Sequence, residues 1–326
     1  MFKLKPLTIL FIGLSLALAV WGVSQLIQKD TPLNARTAQI FTDEERPNDF
    51  DITPATIQTA VYRGGRIIIS GNGVPNSQAI LKHSTHVGQG DGKISSVQVN
   101  GAGQWTLSFI LGSAEVPLAL TVDSTMLSGQ TIASDETLFV VSSQEQTQEE
   151  QTQQAEQTGA DEGPLTLSVL VLLSAPGGQS RVLQAPRGLP SIDGFTLEAI
   201  DYDNSGGVIF SGSSDKKGAV VTYLRGRPVV ETQVGQNGRW SLISGNTMPL
   251  GTYKVGAQLF PEDGSEAIKL TLPFERKKPF SDIENSPKIL VTRHEDYIQV
   301  ARALHGGGYQ YTIVYDHNAL EINPKK

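Results

Sequence analysis

The sequence predicts a mainly β protein with an N-terminal transmembrane helix, two β-sandwich modules and a short α+β segment at the C-terminus. Three observations carry this. Short β-branched runs alternate with Gly- and Asn-rich turns through most of the 326 residues, as in stacked antiparallel strands. One turn-and-strand pattern occurs twice. Clear helical character is confined to one apolar run near the N-terminus and to the last ~40 residues.

The apolar run is Leu7–Ile27 (LTILFIGLSLALAVWGVSQLI), without a charge. As a helix it is about 30 Å long, enough to cross a hydrocarbon core. Lys3 and Lys5 precede it, and positive residues on the short side hold that side in the cytoplasm. The expectation is a single-pass inner-membrane protein with its N-terminus in the cytoplasm and its bulk in the periplasm. A cleaved signal peptide is the competing reading, since Ala17-Leu18-Ala19 resembles a cleavage site. The apolar run continues past that site, which favours the anchor.

Composition narrows the function classes. There is no cysteine, so thiolate metal sites, thiol nucleophiles, lipoprotein anchoring and disulfide scaffolds are excluded. Lys and Arg number 26 against 33 Asp and Glu, a net charge of −7. Such a balance gives no surplus to neutralise phosphates and argues against nucleic acid as a partner.

After the anchor (1–28), residues 29–50 are polar and read as a spacer. The first module covers 51–143, with strands expected at Arg66–Ser70, Ser77–Lys82, Ile94–Val99, Trp105–Leu111, Leu118–Asp123 and Glu136–Val141. Residues 144–163 are rich in Gln, Glu and Thr, carry almost no apolar side chain and read as a solvated linker. The second module, 164–276, opens with the apolar run Leu165–Ser174, too short to span a bilayer and expected as a buried strand in a hairpin. Strands follow at Phe195–Tyr202, Gly207–Ser211, Ala219–Leu224, Val229–Val234, Trp240–Ile243, Tyr253–Gln258 and Ile268–Phe274. A charged linker (277–288) leads to the C-terminal segment, 289–326.

The repeat joins Ile69-Ser70-Gly71 to Phe210-Ser211-Gly212, and Gly103-Gln104-Trp105-Thr106-Leu107 to Gly238-Arg239-Trp240-Ser241-Leu242. In both copies a glycine supplies the turn and a tryptophan opens the next strand. A tryptophan so placed reads as a core residue. The arrangement resembles the immunoglobulin-like (Ig-like) repeat modules of bacterial envelope proteins, which implies fold and is silent on function.

In the C-terminal segment Ile289–Thr292 reads as a strand. Tyr297, Val300, Ala301 and Leu304 fall at i, i+3, i+4 and i+7, predicting a helix ended by Gly306-Gly307-Gly308. A second helix is expected from Tyr311–Tyr315 to about Asn318. Val291…Tyr297-Ile298-Gln299-Val300-Ala301-Arg302 and Gly306-Gly307-Gly308-Tyr309…Ile313-Val314-Tyr315-Asp316-His317-Asn318 resemble the two motifs of the LysM domain. His294-Glu295 stands where that family has a Gly-Asp or Gly-Asn turn, Ile298 replaces its frequent Trp, and its final strand has no counterpart before Lys326. The resemblance implies a partial βαα LysM-like segment that binds peptidoglycan, an N-acetylglucosamine-containing glycan. Its glycan-contacting residues would be His294, Glu295, Tyr297, Tyr309 and Asn318.

Other constellations carry little. His83-x-x-His86 lacks a third ligand nearby in sequence, and Gly88–Lys93 lacks the G-K-[ST] ending of a phosphate loop. Asp201–Asn204 lacks the EF-hand register. No arrangement of nucleophile and base is legible from spacing. The expectation is a non-enzymatic protein with no metal or cofactor, partnered by peptidoglycan and the inner membrane. The alternative is a scaffold for an envelope protein partner.

Overall fold

A computed structural model describes residues 53–84, 92–111, 117–143, 168–244, 248–278, 289–304 and 308–320. All belong to one compact unit, Ile52–Lys326. The expected anchor (Leu7–Ile27), the spacer and the Gln/Glu linker lie outside the described residues. Among those described, no helix is long and apolar enough to cross a membrane.

Seven strands build the first sandwich: β1 (Thr56–Arg63), β2 (Arg66–Asn72), β3 (Gln78–Ser84), β4 (Gly92–Gln98), β5 (Gln104–Ile110), β6 (Leu118–Thr125) and β7 (Thr131–Ser142). They form one sheet of order β1-β2-β5 and a second containing β4-β3-β6-β7. Next come β8 (Val169–Ser174), β9 (Arg181–Gln184) and the two-residue β10 (Ser191–Ile192). The second sandwich repeats the plan with β11 (Phe195–Asp203), β12 (Val208–Ser214), β13 (Gly218–Leu224), β14 (Arg227–Gln233), β15 (Arg239–Ser244), β16 (Gly251–Pro261) and β17 (Ile268–Arg276). Here β11-β12-β15 share one sheet and β14-β13-β16-β17 the other, strand for strand the order of the first copy.

The repeated glycine and tryptophan are cross-strand partners in both copies, Gly71 opposite Trp105 and Gly212 opposite Trp240. A Cβ on Gly71 would sit 2.7 Å from Trp105 Cζ2 and collide with the Thr56 carbonyl oxygen; on Gly212 it would sit 2.6 Å from Trp240 Cζ2 and collide with the Thr196 carbonyl oxygen. The glycine is therefore required by close approach: the indole lies across bare backbone, which only glycine permits.

Each sandwich is extended on the side facing the other. Strands β8 and β9 pair onto β7, giving the order β4-β3-β6-β7-β8-β9. Three C-terminal strands, β18 (Ile289–Arg293), β19 (Tyr297–Ala303) and β20 (Tyr309–Tyr315), pair onto β11, giving β15-β12-β11-β20-β19-β18. The result is four stacked sheets with three cores. One core joins the first two sheets through residues such as Ile67, Trp105, Leu120 and Leu138. Another joins the last two through Phe210, Trp240, Leu259 and Phe274. The third lies between the two middle sheets and unites Phe139, Val141, Leu170 and Leu172 with Ile298, Val300 and Val314. Every residue of β8 is buried, because Leu170 and Leu172 face the second sandwich while Val169, Val171 and Leu173 face the first.

The C-terminal segment corrects the sequence expectation. Tyr297–Ala303 and Tyr309–Tyr315 are strands, and a single 3-10 turn, His317–Ala319, follows. The helical βαα arrangement is absent from the described residues of this segment. Both faces of β19 and β20 are covered, so their apolar side chains need not keep a strand-like alternation. Tyr309, Tyr311, Ile313 and Tyr315 enter the second sandwich's core, while Ile298, Val300 and Val314 enter the middle one.

Candidate functional site

The turn joining β18 to β19 holds three of the five expected site residues, and two of them, His294 and Tyr297, lie side by side. The His294 amide donates to the Tyr297 carbonyl at 2.9 Å. That closure brings the two rings to 4.1 Å between centroids at 26°, a stacked pair. Tyr297 in turn leans on Tyr315, 5.6 Å away. Together they form one wall of a cleft whose other walls are Ser143 after β7, Pro186 and Arg187 between β9 and β10, and Asp316 after β20.

Asp316 organises the floor. Its amide donates to the Asp296 carbonyl at 2.8 Å. Its Oδ2 takes Arg187 Nε at 2.7 Å, and its Oδ1 lies 2.6 Å from His317 Nδ1. Oδ1 also accepts the Asn318 amide, capping the 3-10 turn. The carboxylate is nearly enclosed while the Arg187 side chain is half exposed; the guanidinium thus offers its remaining N–H groups at the rim.

Burial, then the nearby Lys277 charge, lowers the His294 pKa, with Glu275 opposing. The imidazole is therefore neutral at pH 7. Its Nε2 is enclosed and has no hydrogen-bond partner. Burial raises the Tyr297 hydroxyl above the usual phenol value. An aromatic plane beside an Arg–Asp pair can hold a flat, hydroxyl-rich ligand by stacking on one side and hydrogen bonds on the other.

The remaining expected residues are placed differently. Glu295 is exposed in the same turn, and Asn318 is exposed on the 3-10 turn beside Asp316. Tyr309 is fully buried in the second sandwich's core and presents no surface to a ligand. Sequence reasoning missed Arg187, Pro186, Ser143 and Asp316. Ser143 and the Pro186-Arg187 turn come from segments far from the LysM-like stretch, and no local motif marks them.

A second polar cluster is structural. At one end of the middle interface Asp201 is buried to 2% exposure. Its carboxylate accepts from the Ser180 amide at 2.8 Å and from the Ser180 and Thr312 hydroxyls at 2.6 Å each. Beside it Arg302 donates to Ser174 O and, at 2.9 Å, to Gln310 Oε1. Burial lowers the Arg302 pKa to about 10, with Asp201 opposing. Burial raises that of Asp201 against the pull of its donors. These groups tie the β8–β9 turn to β11, β19 and β20.

Neither the protein-family models nor the curated proteins compared with this chain give a match.

Proposed function

We propose that the chain is a non-enzymatic binding and spacing protein of the bacterial envelope. Leu7–Ile27 holds it in the inner membrane, two Ig-like modules lie in the periplasm, and the cleft beside the β18–β19 turn binds peptidoglycan. The stacked His294–Tyr297 pair is the observation that carries this reading. A sugar ring lays its C–H face on such a plane while its hydroxyl and acetamido groups reach the Arg187–Asp316 pair. The contacts are few, so membrane tethering supplies much of the effective concentration.

The second reading is a scaffold for a protein partner. The four-layer stack with its C-terminal strands built in favours it, because such a body holds two surfaces at a fixed separation.

Sedimentation of the full chain with purified sacculi separates the two. Deleting 289–326 would strip three strands from the second sandwich's sheet, so point variants are needed. Glycan binding predicts that the parent sediments and that Tyr297→Ala or Arg187→Ala weakens this at least about fivefold, the loss of one modest contact. A parent that stays in the supernatant, or variants that sediment equally well, refutes the glycan reading.

A further inference from the structure

The outer face of the first sheet carries an apolar and cationic patch at one end. This sheet is an outermost layer, since only its inner face contributes to a core. Its solvent side exposes Val61 (49%), Ile68 (46%) and Ile110 (72%). Register places them together: Val61 is opposite Ile68, and Ile110 is opposite Arg66, which is opposite Arg63. Between the arginines the chain turns through Gly64 and Gly65, both at positive φ, in a tight hairpin of minimal bulk. Arg63 and Arg66 are the only charged residues on β1, β2 and β5, which hold no Asp or Glu. In a chain with 33 carboxylates this is a distinct segregation. The opposite outer layer, by contrast, mixes signs, exposing Glu231 and Glu275 among Arg227, Lys254 and Lys269.

The β1 edge of the same sheet is closed to a partner strand. Glu136 Oε2 accepts the Ile57 amide at 3.0 Å and Gln184 Oε1 accepts the Tyr62 amide at 2.8 Å. Arg181 donates to Gln58 O at 2.8 Å. Side chains from β7 and β9 thus occupy the backbone groups that β-augmentation would use. Beside that closed edge the face and its hairpin tip are exposed.

We propose that this face docks on the anionic lipid surface of the membrane in which the chain is anchored. The inference rests on the anchor of the proposed function. Aliphatic side chains flanked by arginines, free of carboxylates, suit the boundary between headgroups and acyl chains. Only 28 residues separate Ile27 from Thr56, a reach of at most about 100 Å. Docking is then an intramolecular event at high effective concentration, so weak contacts suffice.

The absence of native cysteine permits a direct test on the full chain. Ser108→Cys, whose position is opposite Ile68, is labelled with an environment-sensitive fluorophore. The protein is reconstituted into vesicles of phosphatidylcholine alone or with an equal part of phosphatidylglycerol. Docking predicts a blue-shifted label, quenched by brominated lipid, in the anionic vesicles. Arg63→Gln with Arg66→Gln should lower the docked-to-free ratio about 30-fold, near fivefold for each residue. A label at Thr252→Cys, on the opposite outer layer, should stay in water. Co-flotation with vesicles while the Ser108→Cys label remains in water overturns the docking face and leaves the anchor standing. Failure to co-float overturns the anchor and the docking together, and a response at Thr252→Cys in place of Ser108→Cys overturns the assigned face.

Discussion

Truncating Asp201 should loosen both sandwiches at once. Its carboxylate accepts three hydrogen bonds from the Ser180 amide and from the Ser180 and Thr312 hydroxyls. In Asp201→Ala the two hydroxyls, 3.2 Å apart, can bond each other. The Ser180 amide and one hydroxyl proton are left without an acceptor. Each buried orphan costs about 1–3 kcal/mol, and the vacated volume adds about 1. Removing a buried charge returns part of this, leaving a net loss of about 3 kcal/mol. For a unit of this size that is a fall of about 6–12 °C in Tm. Asp201→Asn keeps an acceptor for the Ser180 amide and turns a donor toward hydroxyls that can accept, so its cost should stay within about 1 kcal/mol.

The pH dependence gives a second readout on the same residue. Burial raises the Asp201 pKa, so between the unfolded value near 3.9 and the raised folded value the native state binds the extra proton. The carboxylate's contribution therefore weakens as pH rises through that window and recovers as pH falls. Asp201→Asn should remove this slope. Urea unfolding of the detergent-solubilised chain, followed by the fluorescence of Trp105 and Trp240, reports on the two sandwiches. An Asp201→Ala variant within about 1 kcal/mol of the parent at pH 7 refutes the assigned role of this carboxylate, and so does an Asp201→Asn variant that preserves the parent's pH slope.

Other consequences follow from single contacts. Gly71→Ala and Gly212→Ala each drive a Cβ into a backbone carbonyl and an indole and should each cost at least about 3 kcal/mol, measured as a lowered urea midpoint. Glu198→Gln breaks a bidentate pair with Arg239, at 2.8 and 3.3 Å, on an almost enclosed carboxylate; a loss of about 2–4 kcal/mol is expected by thermal melting. Glu136→Ala with Gln184→Ala frees two backbone amides on the β1 edge and should produce concentration-dependent dimers in size-exclusion chromatography. The lowered pKa of His294 predicts an NMR titration midpoint below 6.5, with His294's contribution to stability complete above the unfolded value of about 6.5 and lost as pH falls from there through the lowered midpoint.

The sandwiches are legible in the sequence because most of their strands turn one apolar face into one core. Thirteen of the fourteen strands in the two copies have a counterpart among the expected runs; β1 is the exception, since Thr56–Arg63 mixes buried Ile57, Ala60 and Tyr62 with a register shift between Ile57 and Thr59. The Gly–Trp repeat was legible for a sharper reason: an indole packed on bare backbone leaves no other residue at Gly71 or Gly212. The C-terminal segment reads as helical because Tyr297, Val300, Ala301 and Leu304 satisfy a helical period by coincidence, although Tyr297–Ala303 is a strand. A strand enclosed on both faces has no obligatory pattern of its own. The contrary signal was in β20, where Tyr309, Tyr311, Ile313 and Tyr315 recur at period two. Of the cleft, His294 and Tyr297 were reached through the LysM resemblance. Arg187 was not, because its partner Asp316 is more than a hundred residues away in sequence and nothing local in a Pro-Arg-Gly turn announces an ion pair.

The middle interface explains why the chain's last strands belong to the architecture as well as to the cleft. Leu170 and Leu172 of β8 have apolar side chains directed away from their own sandwich, and full burial of each is worth about 1.5–3 kcal/mol. Ile298, Val300 and Val314 supply the surface that covers them. The same strands turn Tyr309, Tyr311 and Tyr315 into the second sandwich, so β19 and β20 are held by two cores at once. The turn carrying His294 and Tyr297 is an outgrowth of that doubly clamped pair. Its geometry is therefore set by the packing of both sandwiches, and a substitution at Leu172 or Val300 should disturb the cleft without touching it.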